Sequence, residues 1–186
     1  MPRSLAISLN ALGLYAIALI LLIAFGAQLI LHELPCPLCL LQRIQFALLA
    51  VGPILNVRFG PRPSHYAVSL LTAAAGAAFA SRQILLHIMP GDSGYGSALL
   101  GYHYYTWAFI GFAVAVVALA AMLLFDAQFK EDDKAQAIGG FARAAAWLVL
   151  ALTTLNVISA LLECGFGACP DNPVTYELLK SGSSTH

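Results

Sequence analysis

Charge is what this sequence has least of. Asp, Glu, Lys and Arg make up 10% of its 186 residues, against roughly a quarter in ordinary soluble domains. Nine basic residues balance nine acidic ones. That balance leaves no electrostatic footprint for nucleic acid, which is excluded as a partner. The one dense charged run is Lys130-Glu-Asp-Asp-Lys134, which reads as a solvated connector. No internal repeat and no soluble domain is visible. A Cys-x-x-Cys-His motif is absent, which removes covalent haem attachment. Dyad alternation is absent too, which removes membrane-spanning strand hairpins. The first apolar stretch is too long for a signal h-region, and no small-residue cleavage site follows it. No cleaved leader is therefore expected.

What is there is apolar. Hydrophobic residues make up 60% of the chain, more than a soluble fold of this size can hide. Lipid as solvent removes the problem. A helix crosses about 30 Å of hydrocarbon in about 20 residues, and backbone polar groups cannot go unpaired there. Five stretches qualify, at about 11–31, 40–57, 66–88, 104–125 and 144–162. The expected fold is an all-α membrane protein. It forms a single transmembrane domain over 1–186, with 163–186 as an outward-facing tail. Basic residues in short loops orient such chains. With a cytoplasmic N-terminus, the inner segments hold Arg3, Arg58, Arg62, Lys130, Lys134 and Arg143. The outer segments hold Arg43, Arg82 and Lys180. Six against three favours this topology, and it turns every cysteine outward.

The four cysteines form two close pairs, Cys36/Cys39 and Cys164/Cys169. Close pairing suggests redox or metal chemistry more than a stapled scaffold. Cys36-Pro-Leu-Cys39 sits just before a helix start, where the helix dipole stabilises a thiolate. Redox activity, a static brace and half of a metal site all fit that spacing. Arg43 lies one turn after Cys39 and shares its helix face. An intramembrane arginine usually faces a partner inside the bundle, here the Cys39 thiolate and an electron acceptor; the alternative is snorkelling to headgroups. Gln42 and Gln45 add polar groups to the same short helix. His32 and Glu33 can move protons during thiol oxidation, or be plain interfacial residues. Arg82, Gln83 and His87 are expected to line a polar pocket near Arg43. Residues 102–107, from Tyr102 through His103 to Trp107, read first as an aromatic belt. Cys164 and Cys169, spaced by two glycines, are expected to form a disulfide in an oxidising compartment. They are either a working pair or a clasp. No metal site is expected, because exported paired thiols oxidise and the second spacing is loose for zinc.

These residues resemble the DsbB family of bacterial membrane quinone reductases. The matching core is Cys36-Pro-Leu-Cys39 followed by Gln42-Arg43. Ser81-Arg82-Gln83 with Pro90 is a second match. Leu100-Gly101 with Trp107 six residues on is a third. The resemblance covers roughly residues 11–125. It implies a four-helix bundle in the bacterial inner membrane, here with an appended fifth helix. It implies that Cys39 is the quinone-proximal thiolate, Cys36 its exchange partner, and Arg43 the stabiliser of the thiolate–quinone pair. Ubiquinone or menaquinone would be the cofactor, and Gln42, Arg43, Arg82 and His87 its surroundings. A periplasmic thioredoxin-like oxidase or another exported thiol protein would be the donor. The family keeps a second cysteine pair between its third and fourth helices, whereas the connection 89–103 here has none. Cys164/Cys169 is the candidate replacement. Two rival readings remain: a non-catalytic small subunit of a larger membrane complex braced by its disulfides, and a reductase running electrons from quinol to an exported disulfide.

Overall fold

The computed structural model describes residues 1–130 and 139–180. Most of the Lys130–Lys134 run lies outside the described residues, as do the last six residues of the expected tail. Five helices are long and apolar enough to cross a membrane. The first is α1 (Arg3–Ile30). The second span is broken into α2 (Pro37–Leu49) and α3 (Val51–Phe59). Then come α4 (Pro63–Leu86), α5 (Tyr104–Leu123) and α6 (Gly140–Cys164). A two-stranded antiparallel ladder, Ala98–Leu99 with Tyr102–His103, stands between α4 and α5. It is a loop feature, far too short to span lipid.

The helices run past the expected spans where polar residues find partners inside the bundle. Asn10 is such a case. It is buried within α1, its amide donating to the Ala6 carbonyl at 2.7 Å and to the Tyr66 hydroxyl at 2.8 Å. It therefore does not end the helix, which begins at Arg3. Asn56 donates to Asn10 at 2.9 Å and accepts from the Arg62 backbone N–H, with His65 Nδ1 also at 2.9 Å. Tyr66 donates to Gln128 at 2.9 Å. This network closes the end of the bundle opposite the cysteines. Buried polar groups in such a place stabilise only when every member is satisfied.

The break in the second span has a local cause. Pro53 has no N–H and its ring would collide with the Leu49 carbonyl in a continuous helix. That carbonyl accepts instead from the Ser69 hydroxyl of α4, at 2.8 Å. Gly52 lets α4 come this close: a Cβ there would lie 2.2 Å from the His65 carbonyl oxygen. Small residues continue along α4. Gly76 accepts the Phe112 ring of α5, and Phe112 stacks on Phe46 of α2 with centroids 4.0 Å apart. Helix α6 packs on the outside of α1. Its face away from α1 carries exposed Trp147, Leu150 and Val157, as a lipid-facing helix does.

Candidate redox site at the paired cysteines

The site starts from Cys36. It caps α2, with Pro37 in the first helical position, where the missing N–H costs nothing. The Cys36 sulfur accepts the Cys39 backbone N–H at 3.2 Å. Cys36 and Cys39 are disulfide-bonded, their Cα atoms 5.0 Å apart. The helix-end amide thus serves Cys36, while Cys39 faces a cavity of about 350 Å³. Gln83 of α4, 1% exposed, completes the sulfur environment. Its amide donates to Cys36 at 3.3 Å and to Cys39 at 3.4 Å. Its carbonyl accepts from Gln42 at 2.8 Å.

The cavity lies between α1, α2 and α5, with the 89–103 connection over one end. Cys39, Gln42, Arg43 and Phe46 form its α2 wall; α1 and α5 give mostly apolar side chains. Arg43 reaches across to α1. It donates to the Gln28 side-chain oxygen at 2.6 Å and to the Ala24 carbonyl at 2.9 Å. Gln28 in turn donates to Ser159 of α6 at 2.7 Å and to the Tyr176 hydroxyl at 3.0 Å. Arg43 is therefore held inside the bundle rather than snorkelling outward.

The connection is laced to the segment before Cys36. Glu33 accepts from the Ser97 backbone N–H at 3.1 Å and from the Ser97 hydroxyl. Tyr95 donates to the Leu34 carbonyl at 2.7 Å. Burial raises the Tyr95 phenol pKa, and the nearby charges of Glu163 and Glu33 add to that. Leu100 and Gly101 both have positive φ, 53° and 84°, as a two-residue hairpin turn requires. Trp107 donates to the Leu99 carbonyl at 2.9 Å. His32 is an exposed turn residue with φ 57°.

Arg82 and His87 do not line the cavity, which corrects their expected place beside Arg43. Arg82 is exposed. His87 pairs with Asp92 at 3.1 Å and stacks on Tyr105. The Gly94 backbone N–H and His87 hold the Asp92 carboxyl below the usual carboxylate range. The reason is helix rotation. The buried stripe of α4 runs Ser69, Ala73, Gly76, Ala80, Gln83, at the three- and four-residue steps of one helix face. Gln83 extends it; Arg82 is one position off. Extending that stripe along the sequence singles out Gln83. Gln28, the lone polar residue of the 11–31 stretch, was the other readable signal.

Cys164 and Cys169 form the second disulfide, with Cα atoms 4.5 Å apart and Gly165 ending α6 at φ 64°. The contacts of Gln28 with Ser159 and Tyr176 put both pairs at the same end of the bundle.

Residues 6–96 match the family described as disulfide bond formation protein DsbB. Over that segment, just under half of the chain, it is similar to the DsbB family. A protein named disulfide bond formation protein B from Xanthomonas axonopodis pv. citri is 40% identical over 86 residues, which is 44% of this chain and 50% of the relative. Disulfide bond formation protein B 2 from Burkholderia lata is 44% identical over 71 residues, 38% of this chain and 42% of the relative. The relative from Azoarcus is 39% identical over 75 residues, 37% of this chain and 45% of its own length. The chain thus spans about half the length of these relatives. No solved structure matches it. The DsbB match holds Cys36, Cys39, Gln42, Arg43 and Gln83. It stops short of the Leu100-Gly101 and Trp107 resemblance, and α5, α6 and Cys164/Cys169 lie outside it.

Proposed function

We propose that this protein is a membrane thiol–disulfide oxidoreductase. It passes electrons from exported thiols through Cys36 and Cys39 to a membrane quinone, in support of disulfide bond formation. One observation carries the reading: Cys39 stands beside Gln42 and Arg43 on the wall of an apolar cavity between membrane helices. The volume, about 350 Å³, is within the range of small-molecule pockets. Arg43 uses two N–H groups on Gln28 and Ala24; a guanidinium has five, so donors remain for a polar head. Ubiquinone or menaquinone would supply an acceptor for two electrons and two protons.

The chain's own residues do the rest. A thiolate of the immediate donor, the reduced Cys164/Cys169 pair, attacks the Cys36 sulfur, and Cys39 leaves as a thiolate. The donor's second thiol then releases Cys36, so the donor is oxidised and both cysteines are reduced. Re-forming Cys36–Cys39 gives up the two electrons and two protons on the cavity side. Gln83 holds both sulfurs throughout. The orientation proposed is the bacterial inner membrane, crossed repeatedly, with the N-terminus cytoplasmic and both cysteine pairs periplasmic. Cys164/Cys169 is the proposed entry for electrons from a thioredoxin-like oxidase or other exported thiol protein.

The direct test is to reduce the purified protein, add ubiquinone or menaquinone, and trap the thiols by alkylation. Cys36 and Cys39 should re-form their disulfide. Thiols that stay reduced would return both disulfides to the role of braces. The relay has its own test. Cys164→Ser should stop turnover with a protein thiol donor yet leave quinone oxidation of Cys36/Cys39 intact; undiminished donor turnover would remove the relay. Gln83→Leu should slow that oxidation by about tenfold or more, because a hydrogen bond to a charged sulfur contributes roughly 1.5–3 kcal/mol. Stopped-flow oxidation of the reduced pair would read it, and an unchanged rate would make Gln83 a packing residue.

A further inference from the structure

Glu163 is the one carboxylate buried in a membrane-spanning helix among the described residues. It is 1% exposed, and its Oε2 has no hydrogen-bond partner among them. An isolated carboxylate at such a place is costly, and such groups normally face a partner charge. Ser159 stands one turn before Glu163, on the same face of α6. That Ser159 holds Gln28, and Gln28 holds Arg43. The Glu163 face is thus turned to the guanidinium. The two groups act on each other through space without ion-pair contact; the ion pairs among the described residues are His87–Asp92 and Lys180–Glu177. Around them stand Tyr176 from the tail and Tyr95 from the 89–103 connection, with Glu33 beside Tyr95.

We propose that Glu163 is the counter-charge of Arg43, so that the appended helix α6 sets the electrostatic potential at the Cys39 wall of the cavity. Glu163 is a positioning residue; it does not touch the sulfurs. The DsbB match ends at residue 96, so this carboxylate lies outside the segment that carries the cysteine motif. The inference deepens the proposed redox reading of the cavity, but its physical content is a charge pair that needs no quinone to be measured.

The test compares Glu163→Gln, Glu163→Asp and the parent protein, each reduced. Alkylation of Cys39 by iodoacetamide is followed across pH, peptide by peptide. Removing the negative charge leaves the Arg43 field unopposed, which favours the thiolate. At a fixed pH on the rising limb, Glu163→Gln should react about tenfold faster, equivalent to a shift of about one pH unit. Glu163→Asp should stay near the parent. A Glu163→Gln profile that overlies the parent overturns the proposal. Should Glu163→Gln not fold, the double variant Glu163→Gln/Arg43→Gln decides. Recovery of its thermal midpoint supports the pair, and failure to recover overturns it. The quinone reading fails separately: parent protein inert to quinone would sink that reading while the alkylation profiles still decide on Glu163.

Discussion

Cys39→Ser is expected to reduce quinone-dependent turnover to background. The argument is one of geometry and electron count. Cys39 lies on the cavity wall and Cys36 does not; the Cys36 sulfur is turned to the start of α2 and to Gln83. Without the second sulfur no disulfide can form within the motif. A two-electron acceptor in the cavity then has no thiolate beside it. The variant should fold, since serine is close in size and Gln83 still finds Cys36. Its lone Cys36 thiolate should also attack the oxidised Cys164–Cys169 disulfide and remain as a mixed disulfide, because the resolving Cys39 thiol is gone. Loss of the quinone absorbance change during anaerobic turnover, together with that trapped species, would be the full signature. An unchanged rate would sink the mechanism.

Gly52→Val is expected to have the largest effect on stability. The added Cβ would fall 2.2 Å from a backbone oxygen, that of His65, and 2.3 Å from the Ser69 hydroxyl oxygen. A flexible side chain can swing aside, but a helix backbone cannot. Ser69 is also the group that accepts the burden of the Pro53 break, by donating to Leu49. Forcing α3 off α4 therefore loses packing and strands a buried carbonyl together. Overpacking alone costs about 1–3 kcal/mol, and an unsatisfied buried polar group about 1–3 more. Thermal unfolding in detergent should show the midpoint fall sharply, or no folded protein recovered. A midpoint like the parent's would mean that α3 and α4 can separate freely.

Much of this was legible in the sequence. The five spans follow from runs of apolar residues long enough for lipid, and lipid enforces the helix. The cysteines were legible as two close pairs, while the Cys36/Cys39 spacing alone left redox, brace and metal readings open. What composition does not encode is the rotation of each helix about its axis. Arg82 and Gln83 are neighbours, and charge drew the eye to the wrong one. Which of them faces inward is fixed by Ala73, Gly76 and Ala80 below them, whose smallness seats α4 on its neighbours. Asn10 misled in a related way. It looked like the end of an apolar run, but Tyr66 and Asn56, far along the chain, satisfy it. Glu163 fell at the start of the expected tail, and it is the packing around the end of α6 that buries it.

The lacing of the 89–103 connection has a consequence for which oxidants can reach the motif. Glu33 fastens Ser97, Leu34 fastens Tyr95, and Leu99 fastens Trp107; Tyr95, Gly96 and Leu99 then wall the cavity at that end. That wall stands between the cavity and the aqueous side of the connection, while α1 and α5 line the cavity with mostly apolar side chains. On the proposed redox reading, selection among electron acceptors on the Cys39 side would be a matter of solubility before it is one of shape. A molecule that partitions into oil can approach from the side, and a water-loving oxidant of the same potential is kept waiting at the seam.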